Sequence, residues 1–277
     1  MSSVFQKGTL PPCPTPFNLA AYVLAKGAKT PDKIALSVLG EEEWSYASLI
    51  AAVRGTATGL LNAGLQPSDR VFMRLGNTVD FPLAYLGALA AGLVPVPTSS
   101  ALTKREVAPM IEAINPALIL HAPSVECPAD SRTLPLEALR GFRDLAPSPW
   151  HIGDPERAGY IIYTSGTSGT PRAVVHAHRA IWARQMMFND WYGLTPEDRL
   201  LHAGAFNWTY TLGTGLMDPW TIGATALIPA AGTPATALPA LIAAHEASIF
   251  AAAPGVYRQL LNQDKIAPMP HLRHGLS

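Results

Sequence analysis

Short apolar runs and longer stretches with helical spacing alternate along the first half of the chain. Short apolar runs at 34–38, 70–74, 94–96 and 117–121 have the length of strands buried on both faces. Stretches 46–63, 78–91 and 103–114 carry apolar residues at helical spacing between them. Gly64 and Gly92 stand where a helix closes on a left-handed residue. Thr103 and Glu106 have the spacing of a capping box, and Asn18 can cap a helix running to about residue 26. In the second half, helices are predicted over 179–192, 212–220, 239–245 and 256–263, with strands at 200–203, 225–228 and 248–252. Residues 43–45 make a short strand, 1–17 an irregular leader, and 122–158 a Pro-rich polar excursion. The alternation predicts an α/β fold of parallel sheets flanked by helices.

One stretch breaks this rhythm. Residues 160–176 read YIIYTSGTSGTPRAVVH, so two β-branched runs enclose a polar loop. Thr164, Ser165, Gly166, Thr167, Ser168, Gly169 and Thr170 carry a hydroxyl or no side chain at all. Glycine lets a ligand approach the backbone, and successive N–H groups with hydroxyls form a nest for anionic oxygens. Pro171 stiffens the exit, and Arg172 supplies a permanent planar charge suited to phosphate. The spacing does not match GxxxxGK[ST], GxGxxG or the hydrolase elbow G-x-S-x-G. The first two also lead from a strand into a helix, whereas here a second strand follows.

Composition narrows the function classes. The chain has 277 residues, 48% of them hydrophobic and 14% charged, with 20 basic and 20 acidic side chains. That balance gives no general pull toward nucleic acid or an anionic membrane. Cys13 and Cys127 match no metal spacing or disulfide framework. The N-terminus lacks the basic and apolar regions of a secretory signal, so a cytoplasmic protein is expected. The most apolar stretch, 81–96, is short for a membrane span and is interrupted by Pro82, Gly92 and Pro95.

The loop TSGTSGTPRAVVHAHRA resembles the phosphate-binding signature of the adenylate-forming (AMP-binding) enzymes. That superfamily includes acyl- and aryl-CoA synthetases, nonribosomal adenylation domains and luciferases. It usually has Lys-Gly after the Pro, where this chain has Arg172-Ala173. The resemblance covers about 18–277 and is nearest to benzoate-CoA ligase-like or medium-chain acyl-CoA ligase-like synthetases. It implies two lobes, one over about 70–195 and one over about 30–68 plus 196–277. It implies activation of a carboxylic acid with ATP to acyl-AMP and pyrophosphate, then thioester formation with coenzyme A, with ATP/AMP and Mg2+ as cofactors. Thr164 to Thr170 and Arg172 would hold the phosphates. A non-catalytic nucleotide-binding module and a carrier-protein loading domain are the alternatives.

The resemblance ends at 271–277. The family's Thr-Glu turn, its ribose-binding Asp and its C-terminal lid with a lysine are not matched. The chain therefore reads as an N-terminal part of the enzyme, with weak or no ligase activity alone. Self-association through an incomplete sheet is expected.

Phe206, Asn207, Trp208 and Tyr210, beside Gly213, suit an organic acid's tail or ring, and ordinary core packing of these aromatics is an equal alternative. His176 and His178 lack a third ligand at metal spacing, and no metal site is expected within the chain. His202 is expected at the edge of the core.

Overall fold

The computed structural model describes residues 11–164, 171–263 and 266–277. Its strands, in chain order, are β1 (Ile34–Leu39), β2 (Glu42–Ser45), β3 (Arg70–Arg74), β4 (Val94–Pro97), β5 (Leu118–His121), β6 (Thr133–Pro135), β7 (Ala158–Thr164), β8 (Arg172–Ala177), β9 (Arg199–His202), β10 (Thr225–Pro229), β11 (Ile249–Ala251) and β12 (His274–Leu276). Its α-helices are α1 (Leu19–Leu24), α2 (Tyr46–Asn62), α3 (Asp80–Ala90), α4 (Lys104–Ile114), α5 (Leu136–Gly141), α6 (Ala180–Ala183), α7 (Gln185–Asp190), α8 (Asp218–Ile222), α9 (Leu238–Ala244) and α10 (Pro254–Leu261).

A six-stranded sheet has the order β12-β11-β9-β10-β1-β2, and a four-stranded sheet the order β4-β3-β5-β6. Neighbours are parallel except at β1–β2. β7 and β8 form an antiparallel hairpin whose inner strand lies against β4, where Ile161 joins Phe72, Val94 and Val96 in one apolar cluster. The parallel α/β expectation is met, and so is the strand–loop–strand setting of 160–176.

The largest core cluster draws on β1, α2, α3 and β3 together. α2 begins where the Ser45 hydroxyl accepts from the Ser48 N–H at 3.1 Å. It buries Tyr46, Leu49, Val53, Ala57 and Leu60, a stripe at helical spacing. It ends before Gly64, whose φ of +94° needs glycine. α4 has the full capping box of Thr103 and Glu106.

Three stretches depart from the sequence pattern. The excursion at 122–158 contains β6 and α5. Arg140 donates to both oxygens of the buried Asp80 at 2.9 and 2.8 Å, Arg143 pairs with the same carboxylate, and Thr78 adds a bond at 2.9 Å. Burial alone would raise the Asp80 pKa, but these donors hold it below the ordinary value. The predicted helix over 179–192 divides into α6 and α7 at Arg184. The predicted helix over 212–220 is π-helical at Thr211–Met217 before continuing as α8. Both changes meet at one buried group, since Arg184 donates to Asp218 at 2.7 and 2.5 Å and to Thr214 at 3.1 Å. Gly213 lies directly over that guanidinium, and a Cβ there would stand 2.5 Å from Arg184 Cζ.

Candidate functional site

Parallel strands deliver their loops to one end of a sheet, and ligands of open α/β folds bind outside the carboxyl ends. Two clefts occupy those ends here. The first, of about 240 Å³, is lined by Pro97, Thr98 and Ser99 after β4, by Tyr163 and Thr164 at the end of β7, and by Pro171 and Asn207. The second, of about 250 Å³, is lined by Ala203 and Gly204 after β9, residues 229–233 after β10, and Asn77 after β3. The segment 203–207 borders both.

That segment is held in place by Asn77. Its amide donates to the Gly204 carbonyl at 2.8 Å and accepts from the Phe206 N–H at 3.0 Å. The carboxyl end of the four-stranded sheet thus positions the loop leaving the six-stranded one. Arg74, at the end of β3, is fully buried and braces the other wall. Its guanidinium donates to the Ser99, Leu102 and Glu126 carbonyls and to the Thr98 hydroxyl at 2.5 to 3.1 Å. The Thr98 hydroxyl passes a further bond to the Met73 carbonyl at 2.9 Å.

The structure brings some of the sequence candidates together and separates others. Thr164 and Asn207 share the first cleft, and Arg172 is the register partner of Thr164 across the hairpin mouth. Arg172 is exposed and makes no ion pair among the described residues. Ser165, Gly166, Thr167, Ser168, Gly169 and Thr170 lie outside the described residues. Phe206 is in the core, with its ring 5.4 Å from that of Phe81. Trp208 is 54% exposed. Tyr210 packs edge-on against His202 with centroids 4.7 Å apart. Gly213 borders a cavity of about 20 Å³ with Tyr85 and Tyr160, room for no more than a water.

His176 stacks on Tyr160 at 4.7 Å, while His178 is fully buried and its Nδ1 accepts from the Leu19 N–H at 3.1 Å. Burial, with the neighbouring Arg157 charge and His151, pushes the His178 pKa down to about 3. Burial alone does the same to His202, again to about 3. Both rings are therefore neutral at ordinary pH.

Asn77, Arg74, Thr98 and Ser99 were not singled out by the sequence pattern. The two arginines that bracket the apolar β3 were the one available signal, because an arginine buried on a central strand needs a full set of acceptors.

Comparison with known proteins gives a consistent picture. The model of the family described as AMP-binding enzyme matches residues 24–277. The chain is 28% identical over 262 residues to a 3-hydroxybenzoate/4-hydroxybenzoate-CoA ligase of Thauera aromatica, covering 86% of this chain and 50% of that protein. It is also 28% identical over 227 residues to surfactin synthase subunit 1 of Bacillus subtilis, covering 79% of this chain and 6% of that protein. Among solved structures, a benzoate CoA ligase from Burkholderia xenovorans superposes with a TM-score of 0.80 at 24% identity, over 94% of this chain and 55% of that one. The chain thus spans about half the length of the ligases it matches.

Proposed function

The chain belongs to the AMP-binding enzyme family, and from that premise we propose that it forms the phosphate-gripping part of an acid-CoA ligase. The protein would activate an aromatic or a short- or medium-chain carboxylic acid with ATP, release pyrophosphate, and pass the acyl group to coenzyme A. The observation that carries this reading is the hairpin mouth. Thr164 and Arg172 are register partners there, and Thr164 borders a cleft lined also by Ser99 and Asn207.

That donor set suits a polyphosphate. Hydroxyl and amide groups donate to anionic oxygens, and the exposed Arg172 guanidinium, which has no carboxylate partner among the described residues, can counter charge. Thr164, Ser165, Gly166, Thr167, Ser168, Gly169, Thr170 and Arg172 would hold the β- and γ-phosphates of ATP. Magnesium bound with the nucleotide would neutralise further charge. In-line transfer at phosphorus is accelerated chiefly by positioning and charge stabilisation, and this chain's share is to fix the triphosphate tail. The Asn77 and Arg74 hydrogen bonds keep both cleft walls rigid, so the tail meets a fixed surface. The acid would lie along the 203–210 segment, where Asn207 offers a polar tip on largely apolar surroundings.

The similarity to a surfactin synthase subunit gives the carrier-protein loading domain a place as second reading. Acid-dependent exchange of labelled pyrophosphate into ATP tests both, run on this chain and on the longest product of its reading frame. Exchange driven by benzoates or fatty acids supports the ligase, and exchange driven only by amino acids favours the loading domain. No exchange with any acid by the longest product of the reading frame contradicts both readings. For these residues alone, weak or absent exchange is the expected result.

A further inference from the structure

Four buried polar atoms beside the second cleft lack partners. They are both ring nitrogens of His202, the Tyr210 hydroxyl and the Thr211 hydroxyl. His202 is 2% exposed and Thr211 fully buried. A buried polar atom without a partner costs stability, and native chains leave few such atoms. Here they lie close together. A Cβ built on Gly204 would stand 2.4 Å from Thr211 Oγ1 and 3.1 Å from His202 Nδ1, so both atoms border the same point. The Tyr210 ring meets the imidazole edge-on at 4.7 Å. A Cβ on Gly215 would stand 2.6 Å from His202 Cβ, so the ring is accommodated between two positions without side chains.

Position favours a ligand over an accident of packing. His202 ends β9 and pairs in parallel register with Ala251, which places the cluster at the carboxyl ends of the sheet. Gly204 lines the second cleft and also borders the cluster. Thr211 opens the π-helical turn, a geometry frequently found at functional sites.

We propose that His202, Tyr210 and Thr211 form a recognition site for a neutral hydroxyl substituent on the organic acid, reached from the second cleft when 203–211 adjusts around it. This rests on the reading that the chain binds an organic acid. The chemistry selects the substituent. A neutral imidazole offers one donor and one acceptor, and each hydroxyl offers one donor and further acceptor capacity. A ligand hydroxyl, with one proton to give and two lone pairs to receive, can bond one ring nitrogen and the two protein hydroxyls. An anionic substituent does not, because the acceptor nitrogen repels it and no cation belongs to the cluster. The remaining cleft lining, largely Ala, Pro, Leu and Val, suits a carbon ring or chain.

Calorimetric binding of benzoate, 3-hydroxybenzoate, 4-hydroxybenzoate and terephthalate to this chain provides the test, repeated on Tyr210→Phe and His202→Phe. We expect one hydroxybenzoate to bind about tenfold or more tightly than benzoate, the scale set by satisfying buried polar groups, and terephthalate to bind worst. The preference should fall below about threefold in both variants. Tyr210→Phe changes only one oxygen and keeps the test valid should His202→Phe fold poorly. Equal binding of benzoate and both hydroxybenzoates overturns the proposal while leaving acid binding intact. A preference that survives both variants overturns it as well. Failure of every acid to bind contradicts the acid-binding reading together with this site.

Discussion

At the scale of single residues, the groups that shape the site are those whose hydrogen bonds reach far along the chain. Arg74 engages carbonyls at Ser99, Leu102 and Glu126, so no local pattern announces it. Arg74→Met would leave those acceptors buried without donors. We expect a loss of ~3 kcal/mol or more in urea unfolding. A loss below ~1 kcal/mol would show that the clamp is not structural. His178 and His202 make a separate prediction. Both are held neutral in the fold near a pKa of about 3, whereas in the unfolded chain each titrates near about 6.5. As pH falls below about 6.5, the unfolded chain takes up protons that the folded chain refuses, so stability declines by up to ~1.4 kcal/mol per pH unit for each ring. Stability in denaturant should therefore drop between pH 7 and pH 5, and less steeply in His178→Gln. A flat profile over that range would contradict the neutral burial of both rings.

At the scale of elements, strands and helices between 34 and 121 were legible because their signals are local. The apolar runs of β3 and β5, the capping box of α4 and the glycines after α2 and α3 lie within the segments they specify. The excursion at 122–158 was illegible because its order depends on Arg140 and Arg143 meeting Asp80 some 60 residues away. The division of 179–192 and the π-helical turn depend likewise on Arg184 reaching Asp218. The phosphate chemistry proposed for 164–172 rests on residue types, while the cleft beside Thr164, from Thr98 and Ser99 to Asn207, became visible only in three dimensions. The hairpin carries a further consequence. Val174 and Val175 on β8 are 39% and 59% exposed, and among the described residues β8 pairs only with β7. Such an edge invites pairing with another copy. Concentration-dependent association of this chain is expected in sedimentation, and Val175→Lys should weaken it. A wild-type chain that stays monomeric across the concentration range would refute the idea.

At the scale of the whole molecule, the two sheets share a core through α2 and α3 and are tied at their carboxyl ends by Asn77. The candidate surface is therefore an edge between the two sheets. Loops from both reach it, and neither sheet builds it alone. Among the described residues, no helix is long and apolar enough to cross a membrane. The role proposed for this chain, which spans about half the length of the ligases it matches, is a grip on the phosphate tail of a nucleotide, with the hairpin mouth at its centre. Titration of the chain with a fluorescent ATP analogue, displaced by inorganic tripolyphosphate or by AMP, tests that assignment most directly. Tripolyphosphate should displace the analogue, AMP should do so at least tenfold less well, and Arg172→Ala should weaken binding of the analogue and of tripolyphosphate alike. Displacement by AMP as effective as by tripolyphosphate, or binding untouched by Arg172→Ala, would contradict it.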